Sequence, residues 1–311
     1  MKFLKKKFVW AISYAVLLTA FTLYMVMDTF VIARVYTVVP SEADAVFNSN
    51  QTNESALTES SEPETQSKII TDNSYIDENI SVTITQYREY NTDIYVADVK
   101  ISSVDYLQTA FADNSYGRNV TAATSETAKN NNAILAINGD FYGAQEKGYV
   151  LRNGELYRDS VGSAKDDLVI WKDGSFGIIK EDEVSASDIA DKGALQILSF
   201  GPAVLIDGSI SVSQKEEVVR AQSSNPRTAI GIIDNLHYIF LVSDGRTRQS
   251  AGLSLYHLAR FMQGLGAITA YNLDGGGSAT MYFNGKVINH PTTDGNTFEE
   301  RHVSDIVYIG Y

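Results

Sequence analysis

An α+β, or mixed α/β, domain built mainly from strands is predicted by three observations. Short apolar runs with period-2 alternation recur from Ile80 to the end of the chain. Amphipathic helical stretches are few and lie between them. Several of the runs pass directly into Gly-containing polar turns that carry an Asp. The chain has 311 residues, with 44% apolar and 11% aromatic side chains, ample for one large core. It has no Cys, which excludes a disulfide scaffold and a Cys-ligated zinc site.

The chain begins with a basic segment, residues 1–7, carrying Lys2, Lys5, Lys6 and Lys7. Phe8 to Met27 follows as twenty residues without a charge, enough at about 1.5 Å per residue to cross a hydrocarbon core of about 30 Å. Residues 8–30 are therefore expected to form a single transmembrane anchor. The positive-inside rule places the N-terminus in the cytoplasm and the rest of the chain outside. A cleaved signal peptide is the rival reading. The absence of Cys in an extracytoplasmic domain suggests a Gram-positive surface.

Residues 31–75 are rich in Ser, Thr, Asn and Glu and sparse in large apolar groups after residue 40, which predicts a flexible stalk. The domain is expected over 76–311. Residues 1–39 hold five basic groups and one acidic, so the remainder carries 20 basic against 37 acidic, or −17. Such a surface repels nucleic-acid phosphates, and no nucleic-acid partner is expected.

Within the domain, ISVTITQY from Ile80 and IYVADVKI from Ile94 read as adjacent strands. Further strands are expected at 133–137, 167–171, 201–206, 228–233, 237–243, 267–273, 279–283 and 305–310. The clearest helix runs from Leu255 to Gln263, with Leu255, Leu258, Ala259 and Met262 at helical spacing, Ser254 as cap and Gly264 as stop. A second is expected near 121–131, capped by Thr121 or Thr124.

The chemistry is expected at strand ends. AILAI runs into Asn138-Gly139-Asp140, IFLVS into Asp244-Gly245-Arg246, and AYNL into Asp274-Gly275-Gly276-Gly277-Ser278. If these ends converge, they gather Asp140, Asp244 and Asp274 around a glycine-rich nest. Each Asp-Gly taken singly is more often a turn, but three consecutive glycines between Asn272, Asp274 and Ser278 exceed what a turn requires. Arg227, Arg246 and Arg301 supply cations suited to a phosphate. No HExxH, P-loop or dinucleotide fingerprint is present. A cofactor is not implied, although an oxygen-ligated divalent cation at Asp140, Asp244 and Asp274 is left open.

At AINGDFY (136–142), GPAVLIDG (201–208), NPRTAIGI (225–232), LVSDGR (241–246) and NLDGGGSATM (272–281) the sequence resembles the phosphodiester glycosidase family, over roughly residues 95–311. That family includes N-acetylglucosamine-1-phosphodiester alpha-N-acetylglucosaminidases and bacterial proteins often labelled exopolysaccharide biosynthesis proteins. Many relatives read Asn-Gly-Gly where this chain has Asn138-Gly139-Asp140. The resemblance implies a hydrolase that cleaves a sugar-1-phosphodiester between the anomeric carbon and the phosphate. The expected substrate is an anionic envelope glycan or exopolysaccharide. Charge development in that reaction suggests Asp274 nearest the anomeric carbon, with Asp244 as its partner or as a water-orienting base. Arg227 and Arg246 would neutralise phosphate, and Asn138 with the Gly275–Ser278 backbone would position it. A non-catalytic polysaccharide-binding or assembly protein is the alternative.

Overall fold

The computed structural model describes residues 8–36, 68–162, 166–216 and 224–311. The four lysines of the N-terminal segment and most of the expected stalk lie outside the described residues.

The apolar run forms one helix, Val9–Phe30 (α1), none of whose residues is buried. Two long strands follow, Ile80–Glu89 (β1) and Thr92–Ile101 (β2), then Leu107–Phe111 (β3). Helix Thr124–Asn130 (α2) leads into Leu135–Asn138 (β4), Val150–Arg152 (β5) and Glu155–Arg158 (β6). Asp166–Trp171 (β7), Phe176–Lys180 (β8), helix Ala186–Asp191 (α3) and Ala194–Leu198 (β9) make the middle of the chain. Ala203–Ile206 (β10), Arg227–Asp234 (β11) and His237–Ser243 (β12) precede helix Leu255–Gly264 (α4). Thr269–Leu273 (β13), Met281–Phe283 (β14) and Asp305–Ile309 (β15) complete the fold.

The strands assemble into a nine-stranded antiparallel sheet and two five-stranded ones. In the large sheet β10, β13, β11, β12, β2 and β1 lie side by side, with short strands Ser74–Ile76 and Ile69–Ile70 at one edge. Pairing in the large sheet thus begins at Ile69, ahead of the boundary expected at 76, and Arg34–Val35 forms a separate two-stranded pair with Gly117–Arg118. The second sheet orders β14, β4, β15 and β3, and the third β6, β5, β9, β7 and β8.

Alternation along the strands explains the layering. Ala97, Val99, Ile230, Phe240, Val242, Tyr271 and Leu273 point from the large sheet into a central core shared with Leu135, Ile137 and Val307 of the second sheet and Leu168, Ile170 and Leu198 of the third. Their neighbours Val96, Ala229, Ile239, Leu241 and Ala270 point the other way, where α4 covers them with Leu255, Leu258, Ala259, Phe261 and Met262. Helices α3 and α2 close the outer faces of the third and second sheets through Ala186 with Ile189, and Ala128, respectively. The fold is therefore α+β, three sheets around one core with one helix on each outer face.

Two helix ends differ from expectation. Ser254 accepts the His257 N–H as a cap, but α4 includes Gly264, and the left-handed residue that turns the chain is Gly266 (φ 91°). Helix α2 starts after Ala123 without a cap from Thr121 or Thr124. Its first-turn N–H of Ser125 is accepted instead by Glu300 at 2.9 Å, a residue distant in sequence.

Candidate active site

Antiparallel register carries the motif ends to one place. Thr228 pairs with Leu273 and Arg227 with Ser243, so Asp274, Arg227 and Asp244 emerge at the same end of three neighbouring strands. Asn138, at the end of β4, stitches this end to the second sheet. Its amide donates to the Asp274 carbonyl at 2.6 Å, while its Oδ1 accepts from Thr228 Oγ1 at 2.7 Å and Thr280 N–H at 3.3 Å. Asn272 ties in the Gly201-Pro202 turn, donating through Nδ2 to Gly201 O at 2.8 Å. Its own Oδ1 is buried without a hydrogen-bond partner.

A cavity of about 230 Å³ opens beside these ends, lined by Asp140, Asp274, Ser278 and Arg301 together with Asn119, Phe141 and His302. Asp274 Oδ2 accepts from Ser278 Oγ at 2.6 Å and from Arg301 Nη2 at 3.0 Å. Burial raises the Asp274 carboxyl above its ordinary value, while Arg301 and the hydrogen bonds pull it down. Gly276 adopts φ 61°, and a side chain there would meet the Arg246 guanidinium at 2.8 Å, so glycine permits both the turn and the close approach. Gly275 accepts from Arg301 at 3.2 Å, and Gly277 accepts the Arg301 N–H at 3.2 Å. Arg246 also donates to Asn225 Oδ1 and Thr293 O. Burial, then the charge of Arg301, lowers its pKa, and Asp274 opposes them.

Asp140 is saturated by donors. Its Oδ1 accepts from Tyr142 N–H at 2.9 Å, and its Oδ2 from Arg152 Nη2 at 2.7 Å and Ser199 N–H at 2.9 Å. Arg152 is itself buried and reaches Asp305 Oδ2 at 2.8 Å and the Ile197 carbonyl. Burial pushes the Asp305 carboxyl up to about 7, helped by the charge of Asp140 and opposed by Arg152.

Of the expected residues Asp140, Asp274, Ser278 and Arg301 line the cavity, Arg246, Asn138, Asn272 and Gly275 to Gly277 are outside its lining, and Asp244 and Arg227 turn their side chains to other partners. Asp244 faces Asn289, His290 and Tyr95, accepting the His290 N–H at 2.8 Å and lying 3.0 Å from His290 Nδ1. Arg227 is buried and donates through Nε to Leu253 O at 2.9 Å. Among the described residues no group of three or more His, Asp or Glu side chains is arranged to hold a metal ion. Asp140, Asp244 and Asp274 each have separate protein partners, so the three-carboxylate cation site left open by the sequence is not assembled.

Arg152, Asp305, Ser199 and His290 escaped the sequence reading. Arg152 in YVLRNG and Asp305 at the head of IVYIG are charges beside buried apolar runs, the one signal that marks them.

A protein with strand-end carboxylates and guanidinium groups around one small cavity, on three sheets sharing a core, belongs to a defined class. Residues 131–310 match the phosphodiester glycosidase family model. The chain belongs to that family. It is 30% identical over 189 residues to the SPbeta prophage-derived uncharacterized protein YomE of Bacillus subtilis, a match covering 59% of this chain and 29% of that protein. It is 29% identical over 188 residues to the bovine N-acetylglucosamine-1-phosphodiester alpha-N-acetylglucosaminidase, covering 55% of this chain and 35% of that enzyme. The chain thus spans about a third of the length of the curated relatives it matches. The catalytic domain of the zebrafish enzyme of that name, auto-inhibited by its pro-peptide, superposes with a TM-score of 0.59 at 22% identity, covering 75% of this chain and 83% of that domain. A hypothetical protein from Synechocystis superposes at 0.52 and 15% identity, covering 75% of this chain and 62% of that one. These structural likenesses establish the shared fold.

Proposed function

We propose that the protein is a membrane-anchored hydrolase of sugar-1-phosphodiesters in the cell envelope, with its domain on the outer face. The observation that carries this reading is a cavity lined by Asp274, Arg301 and Asp140, at which the Asp274 carboxylate and the Arg301 guanidinium are hydrogen-bonded to each other. Cleavage adds water at the anomeric carbon and breaks the bond from that carbon to the phosphate oxygen. The bonding pair leaves with phosphate, and the products are a free sugar and a phosphomonoester. Positive charge grows on the sugar and negative charge on the phosphate, so a carboxylate belongs near the first and cations near the second.

In this reading Asp274 stands by the anomeric carbon, and Arg301 with Arg246 takes the phosphate. Asp140, whose buried carboxylate is held by Tyr142, Arg152 and Ser199, supports the cavity wall from behind. Asn138, Asn272 and Arg227 shape the strand ends, and Asp244 orients His290. The Gly275–Ser278 backbone brings the reacting groups close. An envelope glycan or exopolysaccharide carrying such a linkage is the substrate class.

The test is release of sugar from a panel of sugar-1-phosphodiesters by the full chain, beside Asp274→Asn. The variant is expected to remain folded and to lose about 10²–10⁴ in kcat, the range for a removed acid–base or stabilising carboxylate. A folded Asp274→Asn protein with full turnover overturns the assignment of Asp274. Failure of the wild-type chain to release any sugar while it binds polysaccharide moves the assembly reading ahead.

A further inference from the structure

We propose that the substrate is borne on a lipid of the same bilayer that holds α1, an inference that rests on the glycosidase reading above. Its basis is how the helix is joined to the cavity. Helix α1 ends at Phe30, where the N–H groups of Val31 and Ile32 both bond back to Met27 O. The chain does not then drift away. Arg34 and Val35 pair antiparallel with Arg118 and Gly117, and the Tyr36 N–H reaches Tyr116 O at 2.9 Å. Gly117 makes the pairing feasible, because a side chain there would strike the Arg34 carbonyl.

The neighbouring residue completes the junction. Asn119 Nδ2 donates to Thr29 O at 3.2 Å and to Ile32 O at 3.1 Å, and Arg118 Nη2 donates to Thr29 O at 3.4 Å. Asn119 also lines the Asp140–Asp274 cavity. One side chain therefore separates the last turn of the anchor from the site.

Between them lies a second cavity of about 340 Å³, lined in part by Arg34, Tyr36, Tyr116, Arg118, Tyr142 and Arg158, which shares Gly143 with the first. Tyr and Arg are the residues that settle at a bilayer's headgroup level. Phe141, on the wall of the site cavity, is 41% exposed and presents an apolar ring to it.

With α1 spanning the membrane, Thr29 to Ile32 sit at the outer headgroups, and the site is held at that depth. A phosphodiester far along a polymer lies outside this reach. One whose second alcohol is a lipid presents its phosphate at the right height, beside the arginines. Water adds at the anomeric carbon, the sugar leaves into solution, and the lipid monophosphate stays in the bilayer.

The experiment uses the full chain in phosphatidylcholine–phosphatidylglycerol vesicles and two esters of one sugar-1-phosphate, a soluble methyl ester and a long-chain prenyl ester. The prenyl ester is placed in the protein's own vesicles or in separate ones. Expected is at least tenfold faster release from the prenyl ester in the shared vesicles than in separate ones, with the methyl ester cleaved slowly. Ten Gly/Ser residues inserted between Val31 and Ile32, outside both cavities, are expected to leave methyl ester turnover unchanged and to cut the shared-vesicle rate at least fivefold. Cleavage of the methyl ester without that shared-vesicle advantage, or an advantage indifferent to the insertion, overturns the lipid inference and leaves the glycosidase reading standing. Cleavage of neither ester removes both.

Discussion

Arg301 and Asp274 share a hydrogen bond of 3.0 Å, and both groups also bond Ser278 Oγ, at 2.6 Å each. The carboxylate proposed for the anomeric carbon is thus tied to the cation proposed for the phosphate. This triangle fixes Asp274 by a planar guanidinium that reaches Ser278 through Nε as well as Nη2.

Arg301→Lys keeps the charge and removes the fork. A lysine ammonium satisfies one of these partners at a time, so Asp274 loses its fixed orientation as well as a phosphate contact. Turnover of a sugar-1-phosphodiester is expected to fall about 10²-fold in kcat/KM, equivalent to about 2.7 kcal/mol of transition-state stabilisation. Steady-state kinetics on the folded variant checks this, and a change below threefold would remove Arg301 from the site.

Arg152 lies buried between the carboxylates of Asp140 and Asp305, at 2.7 and 2.8 Å. Arg152→Met leaves two uncompensated acids in the core and is expected to cost about 3–5 kcal/mol at neutral pH. Without the guanidinium the Asp305 carboxyl, already raised by burial, binds its proton more tightly in the native state. The loss is therefore expected to shrink as pH falls toward 5, since stability declines with pH wherever the folded form holds more protons. Urea midpoints at pH 5 and 7.5 decide it; equal losses at both would count against the ion triad.

The strand ends around this site were legible because Gly and Asp punctuate apolar runs, and the register then brings Asp274, Arg227 and Asp244 to one edge. What was hidden depends on partners far away in sequence. Asp305 meets Arg152 across 153 residues, and Glu300 caps α2 across 175, so neither pairing leaves a local pattern. Asp244 and Arg227 share that edge with Asp274, but Asn289, His290 and Leu253 take up their side chains. β8 escaped for another reason: Phe176, Gly177, Ile178 and Ile179 are all half-buried, which erases the alternation that marks a strand. α1 and α4 were plain because composition and periodicity suffice for each.

Asn138→Asp tests the stitch between the sheets. The amide donates to Asp274 O at 2.6 Å from a fully buried position. A carboxylate there sets an acceptor against a carbonyl and buries a charge, at an expected cost of about 3 kcal/mol or more. Thermal unfolding measures the loss, and a melting temperature within a degree of wild type would show that the second sheet is held otherwise.

Asp167 gives the protein a stability that depends on pH in a definite direction. Both its carboxylate oxygens are buried, and burial, with the charge of Glu181 nearby, pushes its pKa up to about 9, while Ser199 opposes the shift. In the unfolded chain the group titrates near its ordinary value of 3.8. Between these two values the native state holds a proton that the unfolded state has released. Stability is therefore greatest below about pH 4 with respect to this group, falls by as much as about 1.4 kcal/mol per pH unit as pH rises, and levels off above about 9. Asp167→Asn keeps the shape and cannot ionise, so it is expected to flatten that slope and to match or exceed wild-type stability at pH 8. Urea unfolding of both proteins from pH 5 to 9 measures the slopes, and parallel lines would mean that Asp167 is ionised in the folded protein throughout.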